Sequence, residues 1–249
     1  RSTPLYSSAA SDVYKRQVLS ALHNAAAGHD LIFPLTFGAR GSAMIGGNLA
    51  TNAGGSNVLR YGNARDLCLG LEVVLPSGEV MDLMSELHKD NSGYNLKHLM
   101  IGAEGTLGII TAAVLKLAPK PRAYATAMVA VQDLPVALNL LNQLQTATGG
   151  LVEAFEYMPR DYLEEYAAQY PEKRPPFETD YEVNLLVEIA TTIPSDSTPD
   201  SDGIVPLMAD LENTLAKLFE QGAVLDATVA QSAAQRREMW ERRLSLIHI

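Results

Sequence analysis

The residues with the clearest chemical potential in this chain are glycines. Residues 45–55 read Ile-Gly-Gly-Asn-Leu-Ala-Thr-Asn-Ala-Gly-Gly, with four glycines and two asparagines in a short span. Glycine reaches backbone conformations closed to other residues and lets a ligand come up to the main chain. Consecutive uncovered amides form a concave anion site, and the small side chains of Ala50, Thr51 and Ala53 leave it open. A bulky anionic ligand fits that stretch, while a tight loop between strands is the competing reading of any single glycine pair. A second glycine-rich turn at residues 102–108 leads into the apolar run 109–117, so two turns feeding strands can meet on one ligand. Arg60 and Tyr61 follow the first stretch closely. They offer a phosphate partner and a stacking surface, or equally a surface ion pair and a core-edge tyrosine.

Positioning these residues requires a framework, and the apolar periodicity supplies one. Residues 18–27 carry Leu19, Leu22, Ala25 and Ala26 at helical spacing, and Gly28 follows as a stop signal. His23 and His29 lie at the polar end of that helix and are expected to face solvent. Residues 67–75 and 79–83 flank Pro76-Ser77-Gly78 and read as a hairpin. A polar loop at 89–94 and a short helix at 96–101 precede the second glycine turn, and 109–117 reads as a buried strand. Pro119-Lys120-Pro121 then marks a change of pattern and a domain boundary. Beyond it, strands are expected at 123–131, 151–158, 181–190 and 223–228. Helices are expected at 134–147, 161–170 and 205–221, the first of them with Leu138, Leu141 and Leu144 at helical spacing. The whole is an α+β protein with a second α+β layer after residue 120.

Composition excludes several functions. With 249 residues, 47% hydrophobic and 19% charged, the chain is globular. A formal net charge of -10 with no basic stripe argues against nucleic acid. The single Cys68 sits in an apolar run, reads as a small buried hydrophobe, excludes an internal disulfide and suits a reducing compartment, taken as the cytoplasm. No apolar run reaches the roughly 18 to 20 residues of a transmembrane segment, and residues 1–17 lack a signal-peptide centre. His88 and His98 match no metal-ligand pattern, so no metal is expected.

Both ends call for separate treatment. Residues 12–17, Asp-Val-Tyr-Lys-Arg-Gln, can be encoded by a string whose reverse complement translates as Leu-Ser-Leu-Ile-His-Ile, the sequence of 244–249. The two segments are therefore expected to be translated adapter, with 1–11 of uncertain origin. The natural protein is expected to be 18–243 and cut at both sides.

Several motifs together carry a family resemblance. They are Ile45-Gly-Gly-Asn with Thr51-Asn-Ala-Gly-Gly, Leu59-Arg-Tyr-Gly, Leu69-Gly-Leu-Glu-Val-Val-Leu, Lys89-Asp-Asn-Ser-Gly-Tyr and Ile101-Gly-Ala-Glu-Gly-Thr-Leu-Gly-Ile-Ile-Thr. In this order they resemble the FAD-linked D-2-hydroxy-acid dehydrogenases among the vanillyl-alcohol-oxidase-type flavoproteins. The D-2-hydroxyglutarate, D-lactate and glycolate dehydrogenases are the most similar. The likeness runs over about residues 18–243.

The resemblance implies a split α+β FAD-binding domain, its second half at 18–120, followed at 121–243 by the first part of an α+β cap domain with an antiparallel sheet. It implies that Gly46, Gly47, Asn48, Thr51, Asn52, Ala53, Gly54 and Gly55 line the FAD diphosphate and flavin edge. By the same likeness Glu104, Gly105, Ile109 and Ile110 lie near the adenosine. Met239-Trp-Glu-Arg-Arg243 resembles the family's Trp-x-x-Arg-Glu segment, which makes Arg243 the substrate-carboxylate ligand. Read without the resemblance, Arg236, Arg237, Arg242 and Arg243 form the polar face of a helix. The implied reaction is oxidation of a small D-2-hydroxy acid with hydride transfer to flavin N5, and an electron-accepting protein or quinone then reoxidises the flavin. The catalytic base is expected beyond the chain end, and the fragment is expected to be inactive alone. Two alternatives are an FAD-dependent transferase of the alkylglycerone-phosphate synthase type and a non-functional fragment.

Overall fold

The computed structural model describes residues 10–14 and 16–246. The expectations for residues 1–9, 15 and 247–249 lie outside the described residues. The chain separates into two compact units after Lys120.

In the first unit, β1 (Ala10–Tyr14), β3 (Cys68–Val74), β4 (Val80–Leu83) and β5 (Ile109–Lys116) form an antiparallel sheet in the order β1-β5-β3-β4. Thus part of the segment expected to be adapter runs as a strand along β5. The hairpin pairs Leu71 with Leu83 and Val74 with Val80, and Gly78 takes the left-handed turn at φ 86°. A small pair joins β2 (Leu31–Ile32) to β6 (Ala118–Pro119). Helix α1 (Leu19–Ala27) buries Leu19, Leu22 and Ala26. It is followed by α2 (Ile45–Ala50), α3 (Val58–Tyr61) and α4 (Lys97–Met100). The core of the unit gathers α1 and α2 with Phe33, Leu35, Leu71, Val73 and Leu115.

Two expectations are corrected here. The first glycine stretch is not wholly a loop, because residues 45–50 wind into α2. His23 is half-buried and its Nε2 lies 3.0 Å from the Leu35 carbonyl oxygen, so it ties α1 to the following segment; His29 is exposed.

The second unit is one antiparallel sheet covered on both faces. Its strands are β7 (Ala123–Val131), β8 (Val152–Pro159), β9 (Val183–Thr191) and β10 (Val224–Val229), in the order β10-β7-β9-β8. Helices α5 (Leu134–Ala147) and α8 (Pro206–Glu220) cover one face over Val129, Val152, Leu185, Val187 and Ile189. The other face lies under α6 (Arg160–Gln169) and α9 (Ala233–Leu244), with Met128, Met158, Leu186 and Met239 at its centre. The connection to α8 contains the short α7 (Pro194–Ser197). Because both faces are buried, all nine residues of β9 are buried and its sequence shows no polar alternation.

Asp133 caps α5 by accepting from the Val136 amide at 2.9 Å. The buried stripe of α5 is Ala137, Leu140 and Leu144, each leucine contributing roughly 1.5–3 kcal/mol by burial. Leu138 is 62% exposed, so only Leu144 of the expected trio is fully in the core.

Candidate functional site

Helix α2 divides the first glycine stretch between packing and access. Ile45 and Leu49 point into the core, whereas a Cβ at Gly47 would meet nothing within 4 Å. Packing therefore gives no reason for a glycine there. Beside it Asn48 is buried, and its Nδ2 has no hydrogen-bond partner among the described residues. An unmatched buried donor costs about 1–3 kcal/mol unless something else accepts from it. The chain then turns through Asn52 at φ 50°, and the Ala53 amide donates to the Asn48 carbonyl at 2.7 Å. Thr51 Oγ1 donates back to the Gly47 carbonyl at 2.9 Å. Gly54 is exposed, and a Cβ on it would make only ordinary contact with Val58. Gly55 differs: a Cβ there would fall 2.5 Å from the Thr36 carbonyl oxygen, so its small size serves a close chain crossing.

The second glycine turn is fastened to the end of α2. The Gly102 amide donates to Leu49 O at 3.1 Å, which also accepts from the Asn52 amide at 3.0 Å, and the Glu104 amide donates to Ala50 O at 2.9 Å, a carbonyl at the helix end. Three residues in a row of four hold left-handed backbone, Gly102 at φ 84°, Glu104 at 51° and Gly105 at 80°. Arg65 closes the junction: its amide donates to Asn52 Oδ1 at 3.0 Å and its Nη2 to Ile101 O at 2.8 Å. The structure thus brings Asn48, Thr51, Asn52 and Ala53 together with Glu104 and Gly105. Strand alternation separates the last two candidates. Ile109 is 52% exposed, whereas Ile110 is 6% exposed and packs in the core, so the Ile110 side chain is withdrawn from the candidate set.

An orphaned amide donor, open space over Gly47, exposed turns and the bare Ile109 side chain fit a ligand with both anionic and flat apolar parts. Arg60 lies 5.3 Å from the ring centre of Tyr61, a cation–π contact within the chain. Burial pushes the Cys68 thiol up to about 12, which leaves it un-ionised and unreactive at neutral pH. Among the described residues no group of histidine, cysteine and carboxylate side chains could hold a metal ion.

In the second unit Arg237 of α9 is exposed, but Arg236, Arg242 and Arg243 do not form a solvated face. Arg236 donates through Nε and Nη2 to the two oxygens of buried Glu188 at 2.6 and 2.7 Å, while Trp240 Nε1 and Thr126 Oγ1 add bonds at 2.8 and 2.5 Å. Arg236 also stacks 3.9 Å from the centre of the Tyr124 ring. Burial opposes its charge, but the Glu188 hydrogen bonds and charge outweigh burial and raise its pKa. Arg243 binds Glu156, and the Tyr162 hydroxyl donates to the carbonyls of Arg242 and Arg243 at 2.9 and 2.6 Å. Arg242 is buried against the Tyr166 ring. Glu156, Glu188 and Tyr162 were absent from the sequence-derived set. The signal for Glu188 is a lone carboxylate inside the apolar run Val183–Thr191.

A two-unit α+β fold with such a glycine junction is a flavoprotein architecture. Residues 17–84 match the FAD binding domain family, and residues 120–248 match the family described as FAD linked oxidases, C-terminal domain. The chain belongs to the FAD-linked oxidase family, and FAD is the cofactor that both descriptions name. Among curated relatives, D-2-hydroxyglutarate dehydrogenase of Xanthomonas citri pv. viticola is 38% identical over 225 residues, 90% of this chain and 44% of that protein. The mitochondrial D-2-hydroxyglutarate dehydrogenases of Arabidopsis thaliana and Rattus norvegicus are 37% and 36% identical, over 85% and 91% of this chain and 36% and 40% of theirs. The chain therefore spans less than half the length of these relatives. Among solved structures, an alkyldihydroxyacetonephosphate synthase aligns with a TM-score of 0.64 at 17% identity, covering 94% of this chain and 42% of that one, a likeness of fold alone.

Proposed function

We propose that this chain is part of an FAD-dependent dehydrogenase that oxidises a D-2-hydroxy acid to the 2-oxo acid. The observation that carries the reading is the junction of the two glycine stretches. There buried Asn48 has an unpartnered Nδ2, a Cβ at the preceding Gly47 would meet open space, and the Gly102 and Glu104 amides are bonded to the end of α2. In this reading Gly46, Gly47, Asn48, Thr51, Asn52, Ala53 and Gly54 line the FAD diphosphate and flavin edge, while Glu104, Gly105 and Ile109 approach the adenosine. When bound, FAD supplies the acceptor for the hydrogen on the substrate α-carbon.

Arg243 holds the substrate carboxylate. Glu156 fixes the plane of its guanidinium through Nε and Nη2, both at 2.8 Å from one carboxylate oxygen. A held guanidinium presents its remaining N–H groups at a set angle, which selects one face of a chiral hydroxy acid. Removal of the hydroxyl proton is assigned to no residue of this chain. D-2-hydroxyglutarate is the first substrate to try, since the relatives carry that name. An electron-accepting protein or quinone completes the cycle.

No helix among the described residues is long and apolar enough to cross a membrane. Two of the relatives are described as mitochondrial, so a mitochondrial location competes with the cytoplasmic one expected from cysteine usage.

The test is a visible absorption spectrum of the protein expressed from its full reading frame, before and after anaerobic D-2-hydroxyglutarate. A flavin spectrum that bleaches supports the reading, and D-lactate and glycolate are then ranked by rate. A colourless protein that takes up no FAD overturns it.

A further inference from the structure

Arg65 lies in the segment between α3 and β3, where three stretches of the first unit meet. Its amide donates to Asn52 Oδ1 at 3.0 Å and shares that hydrogen with Asn63 Oδ1 at 3.2 Å, while the neighbouring Ala64 amide donates to the Ala53 carbonyl at 2.9 Å. Its side chain reaches a different stretch, with Nη2 donating to the Ile101 carbonyl at 2.8 Å. The backbone of Arg65 is thus joined to the first glycine stretch and its guanidinium to the second.

The second turn is built closely against this side chain. Ile101 is buried, and Gly102 follows it at φ 84°. A Cβ on Gly102 would lie 3.1 Å from Arg65 Nη2 and 3.3 Å from Asn52 Cβ, so a glycine is needed for the two turns to come this near. The Gly102 and Glu104 amides then reach the Leu49 and Ala50 carbonyls at the end of α2. Arg65 Nε, by contrast, is buried with no partner among the described residues. An unmatched buried N–H opposes folding. The guanidinium therefore adds less to stability than its bond to Ile101 suggests, and what it chiefly fixes is the place of the second turn beside the first.

We propose that Arg65 is a positioning residue that makes this site select FAD over FMN. The inference rests on the proposed function, in which the first stretch faces the diphosphate and flavin edge and the second turn faces the adenosine. FMN carries the flavin and one phosphate but no adenosine. Replacing the Arg65 side chain leaves its amide on Asn52 and releases only the Ile101 carbonyl. The loss therefore falls on the half of the site that FMN does not use, and Arg65 acts through the turn it holds, as a supporting shell does.

The test titrates the protein expressed from its full reading frame, freed of flavin, with FAD and with FMN, and reads amide hydrogen exchange at Gly102 and Glu104 in the absence of both. Arg65→Met is expected to weaken FAD about tenfold or more, the scale on which a misplacement of about 1 Å is felt, and FMN by less than about twofold. Without flavin, the Gly102 and Glu104 amides should exchange about tenfold faster, a local opening. The thermal midpoint should move by less than about 4 °C, since removing the Nε orphan offsets the stranded Ile101 carbonyl. Arg65→Lys, whose amine still reaches that carbonyl, should restore most of the FAD affinity. If Arg65→Met fails to fold, Arg65→Gln, too short for the carbonyl, gives the same ratio. Equal losses for FAD and FMN, unchanged FAD affinity, or unchanged exchange at Gly102 would each overturn this inference alone. An unaltered protein that takes up neither flavin overturns the proposed function and this inference with it.

Discussion

Both Nε and Nη2 of Arg243 fall 2.8 Å from a single oxygen of Glu156, on side chains that are 27% and 17% exposed. A pair this accessible is worth at most about 1 kcal/mol to folding. The same guanidinium, if it grips a substrate carboxylate, contributes about 1.5–3 kcal/mol there. Stability and substrate affinity should therefore respond unequally. Arg243→Met in the full-length enzyme is expected to leave the thermal midpoint nearly unchanged while KM for the hydroxy acid rises about tenfold to a hundredfold. Steady-state kinetics beside a melting curve separate the two, and an unchanged KM would remove Arg243 from the substrate site.

Glu188 makes the opposite prediction. It is buried and accepts from Arg236, Trp240 and Thr126 at once. Replacing it with leucine leaves a guanidinium and an indole N–H without an acceptor, and breaking such a buried pair costs about 3–5 kcal/mol. Arg236 is 33% exposed, which places the loss at the low end of that range. Glu188→Leu should thus lower the urea midpoint sharply. The double variant Glu188→Leu, Arg236→Met should recover part of the loss, because the guanidinium is then no longer stranded, while buried Glu153, whose charge also acts on Arg236, keeps the recovery incomplete. Equal losses in the single and double variants would show that the cluster acts through packing alone.

The legibility of the chain divides along physical lines. Strands and helices with clean apolar periodicity lie within a residue or two of where the sequence puts them, as β5, β7 and α8 do. The buried face of α5 is not legible in the sequence, because Leu138 and Leu140 look alike there and only the sheet beneath the helix chooses Leu140. Helix α2 reads as loop in the sequence because glycine is a poor helix former, an intrinsic preference that packing of Ile45 and Leu49 overrides. Glycine composition marks the candidate stretch but not the division of labour within it. Whether a glycine serves a ligand or a chain crossing depends on what stands 3 Å away. The α9 arginines were legible as charges, and their partners were not, since Glu156 and Glu188 come from strands far away in sequence.

His23 contributes to the pH dependence, together with His98, whose pKa burial also lowers. Burial lowers the His23 pKa below the usual 6.5, and the Leu35 carbonyl only partly opposes this. The unfolded chain therefore binds the proton more readily than the native one. The stabilisation is present above about pH 6.5 and is lost as pH falls through the lowered native value. His23→Gln should flatten the decline in urea midpoint between about pH 6.5 and pH 5. If the slope in that range is the same in both proteins, His23 does not govern it.

Gly47 and Gly55 stand at the two ends of one motif and should fail in different ways. At Gly47 an added methyl meets nothing within 4 Å, and within α2 alanine is favoured over glycine by about 0.5–1 kcal/mol. Gly47→Ala is therefore expected to hold or slightly raise the melting temperature while weakening FAD retention, since under the proposed reading the methyl enters space assigned to the cofactor. At Gly55 the methyl would lie 2.5 Å from the Thr36 carbonyl oxygen and 3.1 Å from its nitrogen, both backbone atoms with little freedom to move. Gly55→Ala should cost about 1–3 kcal/mol of stability, as overpacking does. It should lose FAD only in proportion to unfolding. Melting curves and flavin content measured on both variants give two independent ratios. If Gly47→Ala retains FAD at the unaltered level, the open face of α2 is solvent and not a cofactor wall.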